Sequence, residues 1–147
     1  MKHYVTGFLF SVDRCRVALI EKLNPQWQRG LHNGIGGKIE PGESALQAMV
    51  REFAEETGVV TQASDWYAFA RVHRPGVYEV EMFAAFDDSI DQVRTVEREQ
   101  VRIFAVDALP KALIPNLAWL IPMALDLEID TANPVLITER AEPRLKA

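Results

Sequence analysis

GGKIEPGESALQAMVREFAEETGV, running from Gly36 to Val59, is the stretch that orders the rest of the chain. Ser44 can accept from the third helical amide while Gln47 reaches back, a capping-box pattern, and Gly58 can take the left-handed conformation that ends helices. The spacing predicts a helix from about Ala45 to Thr57. At about 100° per residue, Leu46, Met49, Val50, Phe53 and Ala54 share an arc of about 140°, the expected core side. Glu52, Glu55 and Glu56 share another of about 100° on the far side and are neighbours in space. Like charges at that spacing cost a few tenths of a kcal/mol, and a solvated helix face with one ion pair is the plain alternative.

Two features argue for more than a solvated face. The glycine-rich turn Gly34 to Gly37 lies just upstream, where bare backbone can approach a ligand. Glu43 is placed to reach Arg51. A hard divalent cation such as Mg²⁺ takes oxygen ligands, keeps several waters, and usually binds through one or two carboxylates plus substrate phosphates. The stretch therefore reads as a site for such a cation and a phosphorylated substrate.

Before the helix, HYVTGFLF (3–10) and CRVALIEK (15–22) are β-rich runs joined by a polar turn, a hairpin pattern. LNPQWQRGLHNGIGG follows as a loop whose Trp27, Leu31 and Ile35 argue for order against the core, lining a pocket. After the helix, DWYAFARVHR and VYEVEMFAAF flank Pro75-Gly76, which suits a type II turn between two long strands. VRIFAV (101–106) reads as a further strand. A second helix is expected over Asn116 to Leu127, bent by Pro122. PVLIT offers one more strand, and the tail from about 139 to 147 is expected to fray.

The chain has 147 residues, 48% hydrophobic and 25% charged, with a net charge of −5. This suits one compact domain over 1–147. The absence of a basic stripe argues against a nucleic-acid polymer as partner. Cys15 is the only cysteine, which excludes an internal disulfide or a multi-cysteine zinc site; in an alternating run it is expected to be a buried structural thiol. No apolar run reaches the ~18–20 residues of a membrane span and the N-terminal run is too broken for a signal peptide, so a cytoplasmic setting is expected.

Gly37, five residues, Glu43, seven residues, then Arg51-Glu52-Phe53-Ala54-Glu55-Glu56-Thr57-Gly58-Val59 resembles the Nudix box, GX5EX7REUXEEXGU with U apolar, at every specified position. The resemblance implies an α+β fold, an α/β/α sandwich with a mixed central β-sheet between helices. It also implies hydrolysis of the pyrophosphate bond of a nucleoside diphosphate derivative, with Mg²⁺ as cofactor and Mn²⁺ as a substitute. By position, Glu52, Glu55 and Glu56 would be metal ligands or, for one of them, the group orienting the water; Gly36 would add its carbonyl, and Glu43 with Arg51 would form a supporting ion pair. A fourth glutamate is common before a late strand. Here that position is Gln100, with Glu99 or Glu97 as substitutes.

The run Leu31 to Lys38 resembles the WNGFGGK pattern of the eukaryotic oxidised-purine triphosphatases and, less closely, the bacterial MutT type. On that basis Asn33 would bind the base, with Trp27, Gly37, Lys38, Asn116 and Trp119 as further substrate-binding candidates. Each has a structural alternative: Trp119 as core, Asn33 as a turn residue. His32 has a loop position that suits a pocket role. Purine triphosphates, oxidised ones included, lead as substrate. The Pro75 spacing makes ADP-ribose or a nucleotide sugar the alternative, and a nucleotide-sensing module without turnover is the alternative of another class. Oligomeric state has no sequence signal.

Overall fold

The computed structural model describes residues 1–142. Its elements in order are β1 (Lys2–Phe10), β2 (Arg16–Glu21), β3 (His32–Asn33), β4 (Ile35–Lys38), α1 (Ala45–Thr57), β5 (Tyr67–Arg74), β6 (Tyr78–Phe86), β7 (Val101–Ala105), α2 (Leu117–Leu125) and β8 (Val135–Thr138). A mixed sheet runs β3-β2-β1-β6-β5-β8, with β4 added to β1 and β7 to β2. The architecture is α+β, as expected.

β1 organises the sheet because it pairs on both edges. Its whole length runs parallel to β6, from Lys2 opposite Tyr78 to Phe10 opposite Phe86. On the other edge it splits, with Tyr4 to Gly7 antiparallel to β4 and Leu9 and Phe10 antiparallel to β2. Strand alternation then sends its side chains to two cores. Val5 and Leu9 join Ala18, Ile20, Phe83 and the α1 residues Met49 and Phe53. Phe8 and Phe10 join Val17, Leu19, Met82 and the α2 residues Leu117, Leu120 and Ile121. Each fully buried Phe or Leu contributes roughly 1.5–3 kcal/mol, so the sheet is held from both faces.

The local punctuation of α1 is as expected. Ser44 Oγ accepts from the Gln47 amide at 3.1 Å, the Gln47 side-chain oxygen accepts from the Ser44 amide at 2.8 Å, and Gly58 ends the helix at φ 76°. Pro75-Gly76 closes the β5–β6 hairpin, with Gly76 at φ 75° and the Val77 amide donating to the Arg74 carbonyl at 3.0 Å. Pro122 lies inside α2, which starts at Leu117 and ends at Leu125.

Four expectations need correction. The buried face of α1 is Ala48, Met49, Phe53 and Thr57, while Leu46 is exposed. Relative to the expected stripe it is rotated by about 60°, so Glu52 and Glu56 fall inside the inward arc. Cys15 is exposed, because β2 begins one residue later and the thiol sits in the turn near the Asp13 carbonyl. Trp119 is 44% exposed: α2 turns Leu117, Leu120 and Ile121 inward and leaves Trp119 on the solvent side. The tail does not fray at Glu139, whose amide donates to the His73 carbonyl at 2.8 Å; residues 143–147 lie outside the described part. No helix among the described residues is long and apolar enough to cross a membrane.

Candidate functional site

The loop after β2 is ordered as expected and forms one wall of a pocket of about 330 Å³. Pro25, Trp27 and Gln28 come from this loop, Asn33 from β3, and Gly36 and Gly37 from β4. Tyr4 and Thr6 of β1, with Val72, Tyr78, Val80 and Met82 of β5 and β6, form the floor. Their parity places them on the α2 side of the sheet, opposite α1. Ile114 and Asn116 close it from the α2 end and Glu139 from beyond β8.

The carboxylates of α1 meet this pocket at its glycine edge. A Cβ on Gly37 would lie 2.4 Å from Glu52 Oε1, so the Glu52 carboxylate rests against the bare Cα of a pocket residue. Gly36 is a glycine for another reason: its Cβ would lie 1.9 Å from the Val5 carbonyl, within the β1–β4 pairing.

Arg51 ties the region together. Its Nε donates to Glu43 Oε2 at 2.7 Å and its Nη2 to Glu43 Oε1 at 2.8 Å, a bidentate pair. Nη2 also reaches the Lys38 carbonyl at 3.0 Å, and Nη1 reaches Glu52 at 2.9 Å and Glu55 at 3.3 Å. The guanidinium and the Glu40 amide hold Glu43 down to about 2. Thus Glu43 fixes Arg51, and Arg51 fixes both the end of β4 and one oxygen of Glu52.

Glu56 has no such partner. Its Oε2 is buried without a hydrogen bond among the described residues. Burial, then the charges of Glu97, Glu99 and Glu52, push its carboxyl up to about 7. Burial raises Glu52 as well; Arg51 pulls the other way, and with the charges of Glu55 and Glu97 the net shift is upward. Glu55 points outward, its side chain 48% exposed. The three acids therefore form an inward pair and one outer neighbour.

Among the later acids, Glu99 spans the site. It takes hydrogen bonds from Lys22 Nζ at 2.9 Å and from the Leu23 and Asn24 amides. Burial raises its carboxyl, but those donors outweigh burial and leave it lowered. Glu97 is exposed, yet its charge is felt at both Glu52 and Glu56. The Gln100 side chain is taken by Arg102.

The pocket thus brings together Trp27, Asn33, Gly36, Gly37 and Asn116, although Trp27 is 67% exposed. Lys38 is exposed at the end of β4 and lines nothing, and Trp119 is absent from the lining. His32 faces away, with Nδ1 on the Ala112 carbonyl at 2.9 Å and its ring edge-on to Phe104. Sequence reading missed Tyr4, Thr6, Lys22, Tyr78 and Glu139. The alternation of β1 could have found the first two; Lys22 and Glu139 depend on pairings across 77 and 61 positions.

A hard divalent cation fits the donor set at the acids. All donors there are oxygens, and Glu56 Oε2 is buried, charged above its raised titration point and unmatched. Among the described residues no three His, Cys, Asp or Glu side chains form a ready-made cage. Arg51 holds Glu52 and Glu55, and a cation of this class takes its remaining ligands from water and substrate phosphates.

Comparison with known proteins bears on the family and the fold. A CTP pyrophosphohydrolase of Escherichia coli (strain K12) is 38% identical over 53 residues, which are 36% of this chain and 39% of that protein. The alignment therefore spans about two fifths of that relative's length. A MutT structure described for Aliivibrio salmonicida and Vibrio cholerae superposes with a TM-score of 0.65 at 23% identity, covering 86% of this chain and 98% of that one. A Nudix hydrolase of Nitrosomonas europaea gives a TM-score of 0.69 at 18% identity, over 95% of this chain and 78% of that one. Those two likenesses concern the fold. The NUDIX domain model matches residues 1–123, most of the chain, and with the complete box on α1 this protein belongs to the Nudix hydrolase family.

Proposed function

We propose that the protein is a Mg²⁺-dependent pyrophosphohydrolase that converts a nucleoside triphosphate to monophosphate and pyrophosphate, with purine triphosphates, oxidised ones included, as the leading substrates. The observation that carries this reading is Glu56, whose Oε2 is buried and unpartnered among the described residues, on the same helix face as Glu52, which rests against Gly37 at the edge of a pocket of nucleoside size.

Glu52, Glu55 and Glu56, with the Gly36 carbonyl, would hold the cation. When bound, the cation neutralises the pyrophosphate and acidifies a water, the main requirements of phosphoryl transfer. Arg51 holds Glu52 by Oε1 and leaves Oε2 free for the cation. In the cation-free protein burial and the neighbouring acids push the Glu56 carboxyl up to about 7, so a divalent cation would supply the positive charge that this group lacks. Glu99 positions Lys22 and the loop amides at the pocket mouth, and the exposed Glu97 is the freer of the two later acids to enter the site. Asn33, Asn116 and Trp27 would contact the base.

The test is a panel of purine triphosphates, their oxidised forms, CTP and ADP-ribose in Mg²⁺, with monophosphate release measured. CTP belongs there because the Escherichia coli relative is named for it, and ADP-ribose is the alternative substrate class. Turnover of a triphosphate with pyrophosphate as co-product is expected. Tight binding of one nucleotide with no turnover of any would make the protein a sensor and end the enzymatic reading.

A further inference from the structure

Glu139 follows β8 and lies beyond residues 1–123 matched by the family model. Its amide continues the β5–β8 pairing by bonding His73, and its side chain lines the pocket. The carboxylate is fixed from two sides. Tyr78 donates its hydroxyl to Oε1 at 2.6 Å, and Arg74 donates Nη2 to Oε2 at 2.9 Å. The Arg74 guanidinium also sits 5.5 Å from the centre of the Tyr78 ring, so the two anchors hold each other.

A carboxylate has about four lone-pair sites, and these two donors leave capacity on both oxygens. A second acceptor in the same pocket is wholly free: Asn116 Oδ1 is buried with no donor among the described residues. Asn33 differs, since its Oδ1 takes the Gly34 amide at 2.8 Å and its NH₂ is the group left over. The pocket also presents apolar Val72, Val80, Met82 and Ile114. The unmatched Asn116 oxygen and the spare acceptor capacity of Glu139, beside apolar walls, call for a ligand that brings N–H donors.

We propose that Glu139, with the Asn116 side-chain oxygen, determines base specificity by accepting hydrogen bonds from an exocyclic amino group, so that amino-bearing nucleobases are taken over their counterparts without one. The inference rests on the pocket being the base subsite of the proposed hydrolase. An amino group forms a charge-assisted hydrogen bond with the carboxylate. A keto oxygen in its place sets acceptor against acceptor, and a hydrogen atom leaves the carboxylate unmatched. Discrimination of about 10- to 100-fold is expected from a hydrogen bond to a charged group.

Two nucleotide pairs isolate the amino group: GMP against IMP, and CMP against UMP. Calorimetry on the full chain should show the amino member binding about tenfold tighter or more, in whichever pair binds better. Glu139→Ala should cut that ratio several-fold, and Glu139→Ala combined with Asn116→Ala should bring it close to one. Glu139→Gln, which keeps an acceptor but adds donors, should fall between. Because the ratio is taken within each variant, a pocket that merely loosens would weaken both members and leave it unchanged. Ratios near one in the wild type, a ratio that persists in Glu139→Ala, or binding of neither pair overturns the inference. Hydrolysis of the parent triphosphates is measured alongside. Turnover without discrimination removes the inference and leaves the enzyme, whereas discrimination without turnover removes the enzyme and leaves the inference.

Discussion

Replacing Glu56 by Gln should stabilise the cation-free protein at pH 8 while abolishing its response to Mg²⁺. Gln keeps the volume and removes the charge from a side chain surrounded by Glu52, Glu97 and Glu99. The rise from an ordinary 4.5 to about 7 bounds the cost of ionising Glu56 in the folded protein at about 3.4 kcal/mol. The side chain is only half-buried, so solvent screens part of that, and about 1–2 kcal/mol remains. For a chain of this size that is about 2–8 °C in Tm. The pH dependence fixes the sign. Between pH 4.5 and 7 the folded protein binds more protons at Glu56 than the unfolded chain, so wild-type stability falls as pH rises through that window. The assay is thermal unfolding with EDTA at pH 8 and pH 5, then with Mg²⁺ added. At pH 5 the folded protein keeps Glu56 protonated, which relieves most of the penalty, and the gain should shrink towards zero. Mg²⁺ should raise the wild-type Tm at pH 8 and leave the variant unmoved. A variant no more stable than wild type at pH 8, or equally stabilised at pH 5, would refute the burial-and-repulsion account of Glu56.

Other substitutions separate neighbouring roles. Gly37→Ala should displace the Glu52 carboxylate and lower kcat by about 10²-fold, the scale of a 1 Å misplacement, with near-normal folding by circular dichroism. Gly36→Ala should instead break the β1–β4 pairing and cost about 2 kcal/mol or more in urea unfolding, because its Cβ meets backbone and not a movable side chain. Arg51→Met should cost about 1–3 kcal/mol, since it strips Glu43 of a bidentate partner and the Lys38 carbonyl of a donor. The Glu43 contribution, from a carboxyl held down to about 2, should be present above pH 4.5 and be lost as pH falls towards 2, a loss missing from the Arg51→Met acid titration. Trp119→Ala should change stability by less than about 0.5 kcal/mol and leave KM unaltered, whereas Asn33→Ala should raise KM about tenfold.

What could be read from residues alone follows the range of the forces involved. The limits of α1 were legible because Ser44, Gln47 and Gly58 act within one turn of where they stand. The β5–β6 hairpin was legible because Pro75 and Gly76 set their own dihedral angles. Which way α1 faces was not. An apolar arc was expected to mark the core, but the inward arc includes two glutamates, because the helix must offer acids to the site from the side that packs. Cys15 was misplaced because β2 starts one residue after it, and Trp119 because α2 turns its neighbours Leu120 and Ile121 inward instead. His32 follows from strand parity, since β3 sends Asn33 to the pocket and its neighbour to Phe104. Lys22 with Glu99 and Tyr78 with Glu139 are contacts between distant segments, which no local pattern encodes.

The pocket takes its walls from residues 4 to 6, 22 to 37, 72 to 82, 114 to 116 and finally 139. During synthesis from the N-terminus, α1 and the core that covers it are complete once Val101 of β7 has emerged. Glu139 follows Val101 by roughly 2 to 8 seconds at 5–20 residues per second. A nascent chain thus carries its carboxylates on a packed helix well before it owns a closed binding pocket. Chains interrupted in that interval on the ribosome would hold the acidic groups and lack the wall that chooses what reaches them.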